Sequence, residues 1–233
     1  MSKPKIFIGG DSWACGEWPD GPSLHAVHQG VEAYFAEDGY TVINTARGGS
    51  SNKDSISLLA STTNELFALG DIIIWVQTDP IRNIAFDQLS KQVEQAGGIV
   101  SLMRELVQQD YSRLNHLTLK YNCPVYAIGG LYSIQKDLLA RYPRVQCLVE
   151  SWIGLLVADW TESALLDSTW TVDDLHLNTF KDQQLAGRCI DELTQLERNR
   201  SVYQNPIFHP NGNHPNREGH RILYNYIKER LEL

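Results

Sequence analysis

A serine and a histidine near opposite ends of this 233-residue sequence occupy positions that favour catalysis. Ser12 follows Gly9-Gly10-Asp11 directly after the apolar run Ile6-Phe7-Ile8, where a buried strand would end in a tight turn. His214 lies in a polar loop just before the last amphipathic stretch. A serine hydroxyl is a weak nucleophile until a neighbouring base takes its proton, and histidine is the usual base near neutral pH. We therefore predict Ser12 as nucleophile and His214 as its base.

The elements that would position these residues alternate along the chain. Short apolar runs at 5–9, 40–44, 71–76, 123–130 and 145–149 predict strands, and helical periodicity over 24–35, 99–120 and 218–231 predicts helices between and after them. This order is typical of an α/β protein with a doubly wound, mostly parallel sheet of about five strands, a three-layer α/β/α sandwich of flavodoxin-like type. Ligands of such sheets bind beyond the carboxyl ends of the strands, where the Ser12 and His214 turns would converge.

We expect one domain over residues 1–233. The segment from about 150 to 206 fits the alternation less well, because it carries several tryptophans, an acidic patch and one further helix near 180–196. It is interpreted as an elaboration over the edge of the sheet.

The motifs, in this order, resemble those of the SGNH/GDSL hydrolase family. Gly10-Asp11-Ser12 is similar to the first block of the family, and the segment from Asn44 to Ser50 is similar to the second. The resemblance implies a three-layer sandwich and a serine esterase. It also implies that Ser12 is the nucleophile, that His214 is the base, and that the N–H groups of Ser12 and Gly49 form the oxyanion hole.

The third block departs from the family. After the third predicted strand the sequence reads Gln77-Thr78-Asp79-Pro80, and Asp79 stands where the family has an asparagine that donates to the oxyanion. A carboxylate cannot donate, and losing one such donor costs about 100- to 1000-fold in rate. The Thr78 hydroxyl or the Gln77 amide could replace the missing donor. Alternatively, Thr78, Asp79 and Pro80 only cap the next segment.

The last block departs as well, since Asn211 stands where the family has aspartate. An amide oxygen can accept a hydrogen bond from the imidazole but cannot stabilise the imidazolium by charge. The site is then either a Ser-His dyad or a degenerate one. A second D-x-x-H pattern occurs at Asp173 and His176, where the acid is present. His214 is preferred as the base because it precedes the final helix in a fuller pattern.

Composition excludes some classes of partner. The net charge of −8 and the lack of a basic run argue against nucleic acids, and no apolar run is long enough for a signal peptide or a membrane span, so we expect a cytoplasmic protein. The four cysteines form no C-x-x-C pair and are expected to be reduced. His209, His214 and His220 lack the spacing of a zinc site, so no metal or cofactor is expected.

Two hypotheses follow. The first is a serine esterase acting on a small or carbohydrate-borne ester, with Trp13 and Trp18 near enough to the nucleophile to line an acyl or sugar pocket. The second is a catalytically weakened domain of the same fold that serves binding or assembly.

Overall fold

A computed structural model describes residues 3–18, 25–130, 132–152, 154–156 and 214–233. Their strands form one sheet in the order β2-β1-β3-β4-β5, and every neighbouring pair is parallel. The strands are β1 (Lys5–Gly9), β2 (Thr41–Asn44), β3 (Ile72–Gln77), β4 (Val125–Gly129) and β5 (Val145–Val149). The predicted parallel sheet of about five strands is therefore confirmed.

Helices cover both faces of the sheet, because its central strands are apolar on both sides. Helices α2 (Gly30–Glu37) and α7 (Arg217–Leu231) pack on the face that carries Ile8 and Ile74. Helices α3 (Asn52–Leu66) and α5 (Ile99–Tyr121) pack on the opposite face, against the odd-numbered neighbours of those strand residues. Side chains alternate between faces along a strand, so uninterrupted apolar runs bury both. The predicted three-layer α/β/α fold is confirmed.

The remaining helices are short. They are α1 (Ser12–Cys15), α4 (Leu89–Gln95), α6 (Lys136–Leu139) and two 3-10 helices at Pro80–Asn83 and Phe86–Gln88.

The second helix begins later than its periodicity predicts. A helix was expected over 24–35, but α2 starts at Gly30, whose φ is +52°. The preceding residues instead pair with Glu17: the Glu17 N–H donates to the His28 carbonyl and the Val27 N–H donates to the Glu17 carbonyl, each at 2.8 Å. Val27, predicted on the buried face of the helix, is 48% exposed. Backbone pairing with Glu17, ten and eleven residues earlier in the chain, takes the place of the first helical turns that the local pattern predicts.

Several expectations fall outside the described residues. Residues 157–213 hold most of the predicted elaboration at 150–206, its helix at 180–196, and the candidate site residues Asp173, His176 and Asn211. Within the described residues, no helix has both the length and the apolar character needed to cross a membrane.

Candidate active site

The candidate site is built on the carboxyl ends of three adjacent strands. Because β1 lies between β2 and β3, the loops that follow these strands are neighbours. The loop after β2 is tied to the loop after β1 by the Arg47 N–H, which donates to the Gly10 carbonyl at 3.3 Å, and by the Asn44 amide, which donates to the Ala14 carbonyl at 3.0 Å. The sheet therefore brings together the two segments that were predicted to form the oxyanion hole.

Ser12 is the first residue of the one-turn helix α1. Asp11 caps this helix, since its Oδ1 accepts the Trp13 N–H at 3.0 Å. The turn needs glycine at position 10, because a Cβ there would lie 2.6 Å from the Ala14 Cβ and 3.0 Å from the Val76 Cβ. The Ser12 hydroxyl is half-buried, and its N–H lies at a helix N-terminus, where backbone N–H groups attract negative charge.

His214 reaches Ser12 from the other end of the chain. It lies two residues before Asn216, whose side chain caps α7 by accepting the N–H groups of Glu218 and Gly219. Its Nε2 is 2.8 Å from the Ser12 Oγ, and both side chains are half-buried. At this distance a neutral imidazole nitrogen can accept the hydroxyl proton.

The segment after α1 connects the serine turn to the start of α7. The Glu17 carboxylate accepts from the Arg217 Nε at 3.0 Å. The Trp18 indole N–H donates to the Ser12 carbonyl at 2.8 Å, and its ring lies 6.1 Å from the His214 ring, centroid to centroid. A Cβ on Gly48 would lie 3.0 Å from the same indole. Trp18 is therefore next to all three segments of the site.

The two backbone donors predicted for the oxyanion hole are the N–H groups of Ser12 and Gly49. Gly49 has a φ of +74°, a left-handed conformation that favours glycine, and it lies in an exposed turn with open space around it. Within the described part of the chain, neither the Ser12 N–H nor the Gly49 N–H donates a hydrogen bond. Both groups are thus available to a bound oxyanion.

Thr78 does not have the free hydroxyl that an oxyanion donor requires. It is 1% exposed, its hydroxyl donates to the Asp11 Oδ2 at 2.5 Å, and its N–H donates to the Asn52 Oδ1 at 2.8 Å. We therefore correct its expected place in the oxyanion hole: both of its donors serve buried neighbours, and the hydroxyl acts on the residue before the nucleophile.

The side chains of Gln77 and Asp79, in the same block, also bond to groups outside the predicted oxyanion hole. The Gln77 amide donates to the carbonyls of Tyr132 and Ser133, at 3.3 and 3.0 Å. Asp79 caps the 3-10 helix Pro80–Asn83, since its Oδ1 accepts the Ile81 N–H at 3.0 Å. Asp79 therefore caps the next segment, as the second interpretation of this block proposed, and does not replace the missing oxyanion donor.

Two residues near the nucleophile had no part in the sequence-based interpretation. Arg82, which lies in the 3-10 helix Pro80–Asn83, donates from its Nη1 to the Asp11 Oδ2 at 2.9 Å. Asn52, 1% exposed at the start of α3, holds Thr78 through the bond already described and donates to its carbonyl at 3.1 Å. The Ser51-x-x-Asp54 pattern signals the start of α3, but nothing local in the sequence signals these long-range partners.

Cys15 is the nearest thiol to Ser12 along the chain. Burial raises the pKa of this half-buried thiol, and the negative charges of Glu32 and Asp11 raise it further. A thiol with a raised pKa is a poor source of thiolate, which disfavours Cys15 as a nucleophile. Among the described residues, no cluster of three His, Cys, Asp or Glu side chains could hold a metal ion.

Comparisons by sequence match neither a protein-family model nor a curated protein. Among solved structures, the chain is similar to protein YxiM from Bacillus subtilis, with 14% identity, a TM-score of 0.46, and coverage of 100% of this chain and 57% of that one. It is similar to Axe2, an acetylxylan esterase from Geobacillus stearothermophilus, with 14% identity, a TM-score of 0.40, and coverage of 100% and 97%. It is also similar to a lipase/acylhydrolase from Enterococcus faecalis, with 14% identity, a TM-score of 0.42, and coverage of 98% and 95%.

Proposed function

We propose that this protein is a serine esterase of the SGNH type that hydrolyses a small or carbohydrate-borne ester through an acyl-enzyme on Ser12. The observation that carries the proposal is the 2.8 Å separation between the Ser12 Oγ and the His214 Nε2. A nucleophile within hydrogen-bond reach of a base, at the carboxyl edge of a parallel sheet, is the arrangement that acyl transfer needs.

In the acylation step the Ser12 Oγ attacks the ester carbonyl carbon while its proton passes to the His214 Nε2. The carbonyl oxygen becomes an oxyanion that accepts hydrogen bonds from the N–H groups of Ser12 and Gly49. When the tetrahedral intermediate collapses, the bond to the alcohol oxygen breaks and the imidazolium gives its proton to the leaving alkoxide. The alcohol leaves, and the acyl group stays on Ser12.

In the second step a water molecule takes the place of the alcohol. His214 removes a proton from this water, the resulting hydroxide adds to the acyl carbon, and the same two N–H groups stabilise the second oxyanion. Cleavage of the bond to the Ser12 Oγ releases the carboxylic acid, and His214 returns the proton to the serine. The free enzyme is regenerated without a cofactor.

The alternative is a weakened domain that binds but does not turn over. It is favoured by the third block, because the Thr78 hydroxyl and the Gln77 amide donate to other groups and leave two backbone donors in the oxyanion hole. One missing donor typically costs about 100- to 1000-fold in kcat. We therefore expect a slow esterase, and a protein with no turnover would support the binding function.

The test is hydrolysis of p-nitrophenyl acetate by the wild type and by Ser12→Ala. We expect Ser12→Ala to lose turnover by about 10⁴-fold or more, as nucleophile variants do, while its thermal midpoint stays near that of the wild type. Ser57→Ala, on the exposed surface of α3, is the matched control and should keep full activity. Wild-type turnover in Ser12→Ala would exclude Ser12 as the nucleophile.

A further inference from the structure

The carboxylate of Asp11, the residue before the nucleophile, accepts hydrogen bonds from three groups. Asp11 is 2% exposed, and its Oδ1 accepts the Trp13 N–H while its Oδ2 accepts both the Thr78 hydroxyl and the Arg82 guanidinium. Trp13 belongs to the same turn as Ser12, so the position of this carboxylate fixes the position of the turn. Burying a carboxylate costs free energy unless its charge is paired and its oxygens accept hydrogen bonds. Asp11 meets both conditions.

Thr78 and Arg82 come from the segment that departs from the family pattern. Thr78 follows β3 directly. The Asn52 side-chain amide accepts from the Thr78 N–H and donates to the Thr78 carbonyl, which fixes the backbone there. Arg82 follows in the 3-10 helix after β3, and its side chain is 37% exposed. One residue of the pair is thus rigidly buried, and the other reaches Asp11 from the surface with a full positive charge.

The geometry points to Thr78 and Arg82 as positioning residues that act on Ser12 through Asp11. This inference rests on the proposed function. Thr78 fixes the Asp11 carboxylate, so that α1 presents the Ser12 hydroxyl to His214 and leaves the Ser12 N–H free. The Arg82 cation balances the negative charge of Asp11, the residue before Ser12, whose N–H would bind the oxyanion.

Each role predicts a distinct kinetic effect. Without the Thr78 hydroxyl the turn is held less firmly, and a small misplacement of a reacting group lowers the rate of the chemical step by about 10- to 100-fold. Without the Arg82 charge, an uncompensated carboxylate opposes the developing oxyanion. Both losses act on the transition state, so kcat falls while KM changes little.

The experiment compares Thr78→Val with Thr78→Ser, and Arg82→Gln with Arg82→Lys, in the full chain. The readouts are kcat and KM on p-nitrophenyl acetate and the rate constant for labelling of Ser12 by a fluorophosphonate. Thr78→Val and Arg82→Gln should lower kcat and the labelling rate by about 10-fold or more. The conservative variants Thr78→Ser and Arg82→Lys should keep most of the wild-type kcat and labelling rate.

Two control variants separate positioning from folding. Thr63→Val removes a buried hydroxyl that donates to carbonyls within α3, and Arg104→Gln breaks an exposed ion pair with Asp137. Both should keep the wild-type kcat, even if the thermal midpoint of Thr63→Val falls. If Thr78→Val does not fold, the partly exposed Arg82→Gln beside Arg82→Lys still tests whether a partner of Asp11 acts on the rate.

The outcomes distinguish this inference from the proposed function. An active wild type whose Thr78→Val or Arg82→Gln variant keeps full kcat and labelling rate overturns the positioning role and leaves the esterase proposal standing. A rise in KM with unchanged kcat overturns it too, because it would assign these residues to substrate binding. A wild type that neither hydrolyses the ester nor reacts with the phosphonate overturns the proposed function and this inference together.

Discussion

Asp11 and Asp110 are both almost fully buried, yet their surroundings differ. Asp11, at the carboxyl edge of the sheet, holds the turn that carries Ser12. Asp110 is 0% exposed in the middle of α5, where it accepts from Asn83 at 3.0 and 3.2 Å and from Arg113 at 2.6 Å. The first carboxylate joins the loop after β1 to the segment after β3, and the second joins α5 to the 3-10 helix Pro80–Asn83. Burial alone therefore does not identify a functional carboxylate; the elements it connects do.

The two regions should respond differently to substitution. Changes at Ser12 and His214, beside Asp11, should lower the rate of ester hydrolysis and leave the free energy of unfolding nearly unchanged. Changes at Asp110 should alter the free energy of unfolding and leave the rate nearly unchanged. The predictions below test this division, from the largest expected effect to the smallest.

The largest effect is expected at the base. His214→Ala should lower kcat/KM by about 10⁴-fold, because the Ser12 proton then has no acceptor, and the thermal midpoint should stay close to that of the wild type. His116→Ala, an exposed histidine on α5, is the control. His176→Ala should also be nearly silent. A large loss in His176→Ala with a small loss in His214→Ala would transfer the role of base to His176, with Asp173 as its acid.

Asp110 should make the protein less stable as the pH rises. Burial raises the pKa of its carboxyl from 3.8 to about 6, against the opposing hydrogen bonds of Asn83, Asn52 and Arg113 and the positive charge of Arg113. The folded state therefore holds this proton more tightly than the unfolded chain does. The resulting stabilisation is complete below pH 3.8 and is lost as the pH rises through 6, which amounts to about 3 kcal/mol.

The measurement is chemical denaturation at pH 4 and pH 7. Between these values the wild type should lose about 2 kcal/mol more than Asp110→Asn does, and kcat at neutral pH should be near wild type in the variant. Asp137→Asn, at an exposed carboxylate, is the control. Parallel pH dependence in the wild type and Asp110→Asn would contradict the account of this carboxylate.

A smaller effect is expected at Asn211. If its amide orients His214, Asn211→Asp adds a charge that stabilises the imidazolium, and we expect kcat near neutral pH to rise by about 10-fold. The two-donor oxyanion hole keeps the gain well below the penalty known for the reverse change. Asn211→Ala is the partner variant. Equal rates in the wild type, Asn211→Asp and Asn211→Ala would show that residue 211 does not act on His214.

The smallest effect concerns substrate size. The Trp18 ring lies near the His214 ring, with 6.1 Å between centroids, and beside the Gly48 turn, so we expect it to limit the space next to the nucleophile. Trp18→Ala should raise the ratio of kcat/KM for the hexanoate ester to that for the acetate ester by about fivefold, within the range of a hydrophobic pocket contact. Trp18→Phe keeps an aromatic ring and should leave the ratio near that of the wild type. An unchanged ratio in Trp18→Ala would remove this ring from the pocket.

Most of the fold could be predicted because the signals are local. β3 is apolar from Ile72 to Val76, and β5 matches its predicted bounds. The alternation of strands with helices then predicts a parallel sheet. β4 starts at Val125 and not at Cys123, since Pro124 has no N–H to donate to a neighbouring strand. The start of α2 was wrong because its periodicity continued into residues that pair with Glu17.

The candidate site was predictable in outline only. The topology rule that brings strand ends together accounts for the Ser12 turn lying beside the turn after β2. His214 joins them from just before α7, where it contacts Ser12. The partners of Asp11 were not predictable, because Thr78 and Arg82 lie 67 and 71 positions away in the sequence. The local sequence indicates only an ordinary turn residue at 78 and an ordinary surface residue at 82. Contacts of this kind depend on how loops from separate strands pack, which no periodicity records.

The central claim, that Ser12 is an activated nucleophile, is tested most directly by mass spectrometry after treatment with a fluorophosphonate. We predict one phosphonyl group per wild-type chain, located on the peptide that contains Ser12, with no adduct in Ser12→Ala and a strongly slowed reaction in His214→Ala. No adduct on the wild type at any pH, or an adduct on another residue such as Cys15, would contradict the account.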